Sequence, residues 1–219
     1  MRRLLLLSTL AALFFSTACD QGGPKGAIHD DVPPQLDANS RVTFILTDDQ
    51  ARTTDRTVAE ALSEVGNIVI LANRPANLPW ETFLVGLKEK IRQLWARGLK
   101  AKNISAIGRG GNGLQALVLA SLVREGRTRY AVMGACPRPG DPGWKGFNEI
   151  LELNGPRMEG QALSLYHSGA LNSGSCQAIF DNASALEGWE TDLSGKTDPT
   201  VFEHPSPEWI KEVIAWINE

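Results

Sequence analysis

The chemistry-bearing residues of this 219-residue chain concentrate in one glycine-rich turn, Gly108-Arg109-Gly110-Gly111-Asn112-Gly113, set between the apolar run at 104–107 and a helix-forming run from Leu114. Gly108, Gly110 and Gly113 satisfy G-x-G-x-x-G in the strand-to-helix setting that lets backbone N–H groups approach a pyrophosphate. The rest of that fingerprint is missing. The turn is the third of its kind, and the next strand ends Met133-Gly134-Ala135-Cys136 without a carboxylate for a ribose, so no cofactor is expected. The same residues read as the tight elbow that presents a nucleophile in G-x-S-x-G, with glycine at its apex because positive φ strains it least. Arg109, beside the free N–H groups of a helix start, is suited to hold a carboxylate or phosphate. Solvated, or paired with Asp48 or Asp49, it would be structural instead.

His29, His167 and His204 are scattered, and Cys136 and Cys176 lack C-x-x-C spacing, so no metal site is expected. His167 follows a strand directly and His204 precedes a helix cap; either is a candidate base, although a surface role is the ordinary one for His204. Ser105 lies within a strand and is expected to be packed. The third cysteine sets the compartment. Arg2 and Arg3 precede an apolar run at 4–15, too short for a span of about 20 residues, which ends Ser16-Thr17-Ala18-Cys19. This resembles the signal of bacterial lipoproteins and implies cleavage before Cys19 and acylation of its thiol. Asp20 behind it resembles the inner-membrane retention signal of Gram-negative lipoproteins. An exported protein can keep a disulfide, and a Cys136–Cys176 bond is expected over two buried free thiols.

The elements that must position these residues alternate along the chain. Segments 42–46, 67–71, 103–107, 129–133 and 161–166 are short apolar runs suited to buried strands, with 189–193 as a sixth. Segments 55–65, 81–97 and 114–123 carry helical apolar spacing, and Pro207 opens a last helix that Ser206 is expected to cap. The fold class expected is α/β: a doubly wound, mostly parallel sheet with helices on both faces. It is expected to form one domain over 41–219, after a signal peptide over 1–18 and a flexible tether rich in Gly, Pro and Asp over 19–40. A net charge of −3 offers no basic surface to nucleic acid. Trp95, Trp209 and Trp216 are expected to pack between elements. Trp144, in a loop after the fourth strand, is expected over the site, stacking on a ligand or folding back on its own domain.

From 104 to 120 the chain resembles the strand, elbow and helix of the α/β-hydrolase superfamily, whose active members write the turn roughly as G-H-S-x-G-G. Residues 129–133 are similar to the next strand, 163–176 to the strand and loop that supply the acid, and 197–209 to the histidine loop. The likeness spans most of 41–219 and implies a minimal member with no cap domain. It places the nucleophile on Gly110, the acid within Ser168-Gly169-Ala170-Leu171-Asn172 at Ala170 or Leu171, and the histidine near Pro199, five positions before His204. None of these side chains can perform its role. Asp48-Asp49 stands where active relatives place an oxyanion loop beginning His-Gly, and carboxylates there repel a developing oxyanion. They could instead cap the next segment or hold a cation.

The expectation is a lipid-anchored protein of the bacterial cell envelope, facing the periplasm or exterior. Its hydrolase-like site, catalytically degenerate, would bind a small molecule or an envelope protein, and its membrane contact would run through the lipid. The alternative is a hydrolase or esterase with a relocated site drawing on His204, His167 or Asp198. A protein–protein adaptor would show an exposed apolar patch in place of a cavity.

Overall fold

A computed structural model describes residues 26–48 and 52–219. The expected signal peptide, Cys19, Asp20 and Asp49 lie outside the described residues. Seven strands form one sheet: β1 (Ile28–His29), β2 (Arg41–Thr47), β3 (Asn67–Asn73), β4 (Ile104–Arg109), β5 (Arg129–Met133), β6 (Glu159–Tyr166) and β7 (Ala185–Asp192). Their order is β1-β3-β2-β4-β5-β6-β7, and every pairing is parallel. Helices α1 (Arg52–Glu64), α2 (Trp80–Ala96), α3 (Gly110–Val123), α4 (Trp144–Asn154), α5 (Gln177–Asn182) and α6 (Pro207–Asn218) cover both faces. This is the expected doubly wound α/β architecture.

Successive strand residues face opposite sides, so each buried run feeds two cores. Val42, Phe44 and Leu46 meet Leu84, Leu87 and Ile91 of α2 and Leu117 of α3 in one core. Ile45 joins Val58 and Leu62 of α1 and Trp209 and Val213 of α6 in the other. Helix α3 is apolar nearly all round and accordingly is the buried helix, with Leu117 and Leu119 fully enclosed. The sheet order reverses at β2: β3 lies on one side of it, and the chain then crosses back to β4 on the other. The crevice beyond the carboxyl ends of β2 and β4 is where such sheets take ligands.

Three details depart from the sequence expectation. Residues 26–40 are packed on the domain. β1 pairs with β3, Lys90 meets Asp31 at 2.8 Å, Arg97 donates to the Pro33 carbonyl at 3.0 Å, and Val32 and Leu36 rest on the core. Their composition hid this because backbone bonds, which any residue can make, carry much of the docking. The described residues 26–48 and 52–219 hold the seven-stranded sheet, both cores and the disulfide. Trp144 is no loop aromatic: it opens α4 and stacks on Phe147, ring centroids 5.5 Å apart. Ser206 stands at the N-cap of α6, but its hydroxyl donates to the Glu208 carboxylate and caps no backbone N–H.

Cys136 and Cys176 form a disulfide, with Cα atoms 5.3 Å apart. It ties the loop after β5 to the start of α5. No helix among the described residues is long and apolar enough to cross a membrane.

Candidate functional site

The elbow owes its shape to glycines with different jobs. A Cβ at Gly108 would lie 2.3 Å from the Asn112 carbonyl oxygen, and one at Gly113 would lie 2.8 Å from the Ala135 Cβ. Those two residues must be bare for α3 to start this close to β4 and β5. Gly110 is different. Its φ is +52°, the left-handed turn that the strand-to-helix reversal needs, yet a Cβ there meets no atom within 4 Å. The apex is open toward a cavity, and only backbone conformation favours glycine at it.

That cavity, about 490 Å³, lies beyond the carboxyl ends of β2, β4 and β5. Gly110, Ala170, Leu171 and Pro199 all line it, so the tertiary structure brings the three expected triad positions to one place from loops about 60 and 30 residues apart in sequence. Thr54, Asn112, Gln115, Ser173, Phe202 and Glu203 complete much of the wall, and no histidine or cysteine is among its described residues. Leu171 stands at the rim, 67 % exposed, next to Asn172, whose φ of +54° is left-handed. Asp141 accepts the N–H groups of Arg138 and Asn172, which fixes this strained rim and holds its own carboxyl below the usual range.

Neither candidate base reaches Gly110. His167 is buried, its Nδ1 accepts the Gly169 N–H at 3.1 Å, and its Nε2 lies 3.1 Å from the Thr197 carbonyl. With Nδ1 accepting, Nε2 carries the proton and donates, so one ring nitrogen fixes His167's own loop and the other the loop that holds Pro199. His204 is exposed and lines a separate cavity of about 430 Å³ with Lys196, Asp198, Thr200 and Glu208. Asp198 faces that second cavity too. The hydroxyl and N–H of Thr200 bind its carboxylate and hold its pKa below the usual range. Ser105 is buried, its Oγ 2.9 Å from the Thr43 hydroxyl.

The charges settle Arg109. Its Nε donates to Asp55 Oδ1 at 2.8 Å, with 11 % and 4 % of the two side chains exposed, and its Nη1 donates to the Phe202 carbonyl. An ion pair joins it to Asp55 of α1, while the sequence offers Asp48 or Asp49, of which Asp49 lies outside the described residues. A guanidinium held in this way stitches β4 to α1 and to the 199–206 loop, and Arg109 also lines the elbow cavity. Asp48 accepts from Asn112 Nδ2 at 3.3 Å, which places a carboxylate at the first turn of α3. The positive end of the helix is thus already faced by negative charge.

The sequence does not single out Asp55, Gln115, Phe202 or Glu203. One signal was available for Gln115: Gly111, Leu114, Gln115 and Val118 have i, i+3, i+4, i+7 spacing and form one face of α3. Asp55 carries no such mark, since its partner is 54 residues away.

No protein-family model matches the sequence, and no curated protein is similar to it at the sequence level. Solved structures are similar to it in fold. The monoacylglycerol lipase of Paleococcus ferrophilus has a TM-score of 0.58 at 11% identity, covering 82% of this chain and 95% of that one. Esterase B of Lactobacillus rhamnosis has 0.57 at 13%, covering 83% and 75%. A metagenome-derived lipolytic enzyme of the LipS and LipT study has 0.57 at 12%, covering 82% and 94%. With the sheet order and the elbow, these likenesses define the class: an α/β-hydrolase-like fold. At such identities they speak for the fold alone.

Proposed function

We propose that this chain is a non-hydrolytic binding module of α/β-hydrolase-like fold, anchored at the bacterial cell envelope by a lipid on Cys19, that takes a small molecule in the elbow cavity. One observation carries the reading: the wall holding Gly110, Ala170, Leu171 and Pro199 offers no nucleophile at the apex and no histidine within its described residues. Acyl transfer needs a nucleophile and an oriented base within about 3 Å of each other. Binding needs only a shaped cavity of a few hundred Å³ with a few polar groups, which the site has. The large apolar side chains left exposed, Val65, Val85, Leu153, Leu171 and Trp189, fall on five different segments, so an adaptor's continuous patch is not suggested by them.

A hydrolase with a non-standard site is the second reading. It is favoured by the lipase and esterase neighbours and by the hydroxyls of Thr54 and Ser173 in the same wall as Asp48 and Glu203. The two readings separate in one assay. Incubated with a fluorophosphonate probe and short-chain aryl esters, both the unmodified chain and a Gly110→Ser variant are expected to stay silent, since the variant regains a hydroxyl but no base. Labelling or turnover by the unmodified chain would overturn the binding reading.

A further inference from the structure

The net charge of −3 conceals a separation of charge between the two ends of the sheet. Because every strand pairing is parallel, the segments that lead from a helix into a strand gather at the amino end of the sheet. Those that lead from a strand into a helix gather at the carboxyl end, where the elbow cavity opens. The helix-to-strand segments 65–66, 97–103, 124–128, 155–158 and 183–184 carry six cations, Arg97, Lys100, Lys102, Arg124, Arg127 and Arg157, and one carboxylate, Glu125. The described strand-to-helix segments carry three cations and four carboxylates, Asp48, Asp141, Asp198 and Glu203.

Helix dipoles account for part of this. Arg97 and Arg124 stand at the C-caps of α2 and α3, where cations are generally favoured. Arg124 also pairs with Glu159 at 3.1 Å, and Arg127 with Glu125 at 3.7 Å. Lys100 and Lys102 are different. They lie past the last turn of α2, beyond the reach of its dipole. Leu99 and Ala101 are buried while both lysines are exposed, and neither lysine enters an ion pair among the described residues. Two large apolar side chains are exposed at the same end: Val65 just after α1, and Leu153 in the last turn of α4. Nucleic-acid phosphates offer such side chains nothing, whereas the headgroup layer of a bilayer takes apolar side chains beside cations.

The chain also enters the fold at this end. The Gly26 N–H donates to the Ser63 carbonyl at 2.8 Å, and Gly26 lies against Asn67, the first residue of β3. Six residues, 20–25, separate Gly26 from Cys19, so a lipid on that thiol is tied within about 25 Å of the amino end. The basic segments before β4 and β5 begin two and three strand spacings from β3, about 10 and 15 Å. We propose, resting on the Cys19 anchor of the reading above, that the amino end of the sheet docks on the anionic phospholipid bilayer that holds the lipid. Lys100 and Lys102 meet its phosphates, and Val65 and Leu153 enter its headgroup layer. The elbow cavity then opens away from the membrane, at the far end of strands about 20 Å long.

The test uses the full chain matured in a bacterial membrane, its Cys19 checked by mass, in phosphatidylcholine vesicles with and without about one-third phosphatidylglycerol. With Cys19 acylated and Cys136 bonded to Cys176, Gly126→Cys or Gly195→Cys supplies a single free thiol for a fluorophore, and a Cβ at either position meets no atom within 4 Å. Gly126 precedes β5 at the amino end, and Gly195 follows β7 at the carboxyl end. On the anionic vesicles a quencher carried on the lipid headgroups is expected to quench the label at 126 far more than the label at 195. The difference should vanish in about 1 M salt, where charges are screened within about 3 Å. Lys100→Gln with Lys102→Gln should lower the docked-to-undocked ratio about 25-fold, at about fivefold per cation, with an unchanged unfolding midpoint. Lys145→Gln with Lys196→Gln, which removes the same charge from the other end, should leave the ratio as it was. Equal quenching of the two labels, equal losses in the two lysine pairs, or a preference for 126 that persists on phosphatidylcholine alone would overturn the docking while the anchor stands. A mass showing Cys19 unmodified would overturn the anchor reading and the docking with it.

Discussion

At the scale of residues, the elbow separates what geometry demands of a glycine from what it only prefers. Gly108 has backbone 2.3 Å from where its Cβ would be, and backbone cannot swing aside; Gly110 has open space and only a positive φ. Gly108→Ala is therefore expected to cost about 3 kcal/mol or to prevent folding. Gly110→Ala is expected to cost about 1 kcal/mol, the ordinary penalty of a left-handed L-residue. Urea denaturation of the two variants checks this, and equal losses would contradict it. The turn was legible in the sequence because its glycines fall within six residues of the chain and their pattern is local. The Arg109–Asp55 pair and the unmatched Gln115 Oε1 were not, because each acquires meaning only from groups that the fold brings beside it.

At the scale of elements, the strands were legible where burial on both faces makes a continuous apolar run, as in 42–46 and 129–133. β1 was not, being two residues whose pairing with β3 is backbone alone, and neither were α4, which carries Gly146, and α5, which is six residues long. The disulfide shows how such irregular parts are held. It closes a separation of 40 residues and joins the loop after β5 to the N-terminus of α5, while the Gly174 N–H donates to the Cys136 carbonyl. The wall carrying Ala170 and Leu171 is thereby tied to β5 from its far side. Reduction is expected to lower stability by about 2–4 kcal/mol and to weaken any ligand of the elbow cavity. Denaturation with and without reductant tests the first effect, and identical midpoints would sink it.

At the scale of the whole molecule, the titrating groups with shifted pKa values bracket a range of stability. Asp31, Asp141, Asp198 and Glu208 are all lowered, chiefly by hydrogen bonds to their charged forms from Lys90, the Arg138 N–H, Thr200 and Ser206 respectively. A lowered carboxyl stabilises the fold fully above its unfolded value, near 3.8 for Asp, and loses that contribution as pH falls through the folded value. Tyr130 and Tyr166 are raised, first by burial, so their contribution is present below the ordinary 10.0 and is lost at more alkaline pH. The unfolding midpoint is expected to be flat between about pH 5 and 9 and to fall on either side; a maximum below pH 4 would contradict this. By itself the sequence determined the alternation of strand and helix, the parallel sheet covered on both faces and the glycine elbow, and it made a Cys136–Cys176 bond an expectation that the Cα separation of 5.3 Å then decided. The first three are written in local period or in local turn chemistry. Only the tertiary structure decided that Gly110, Ala170, Leu171 and Pro199 share one cavity, that His167 is spent on its own loop and on Thr197 while His204 faces another space, and that an apolar slot opens beside Gln115. The reason is physical: a cavity is made of surfaces that do not touch in sequence, and what its walls can bind depends on which of their polar groups the fold leaves unmatched.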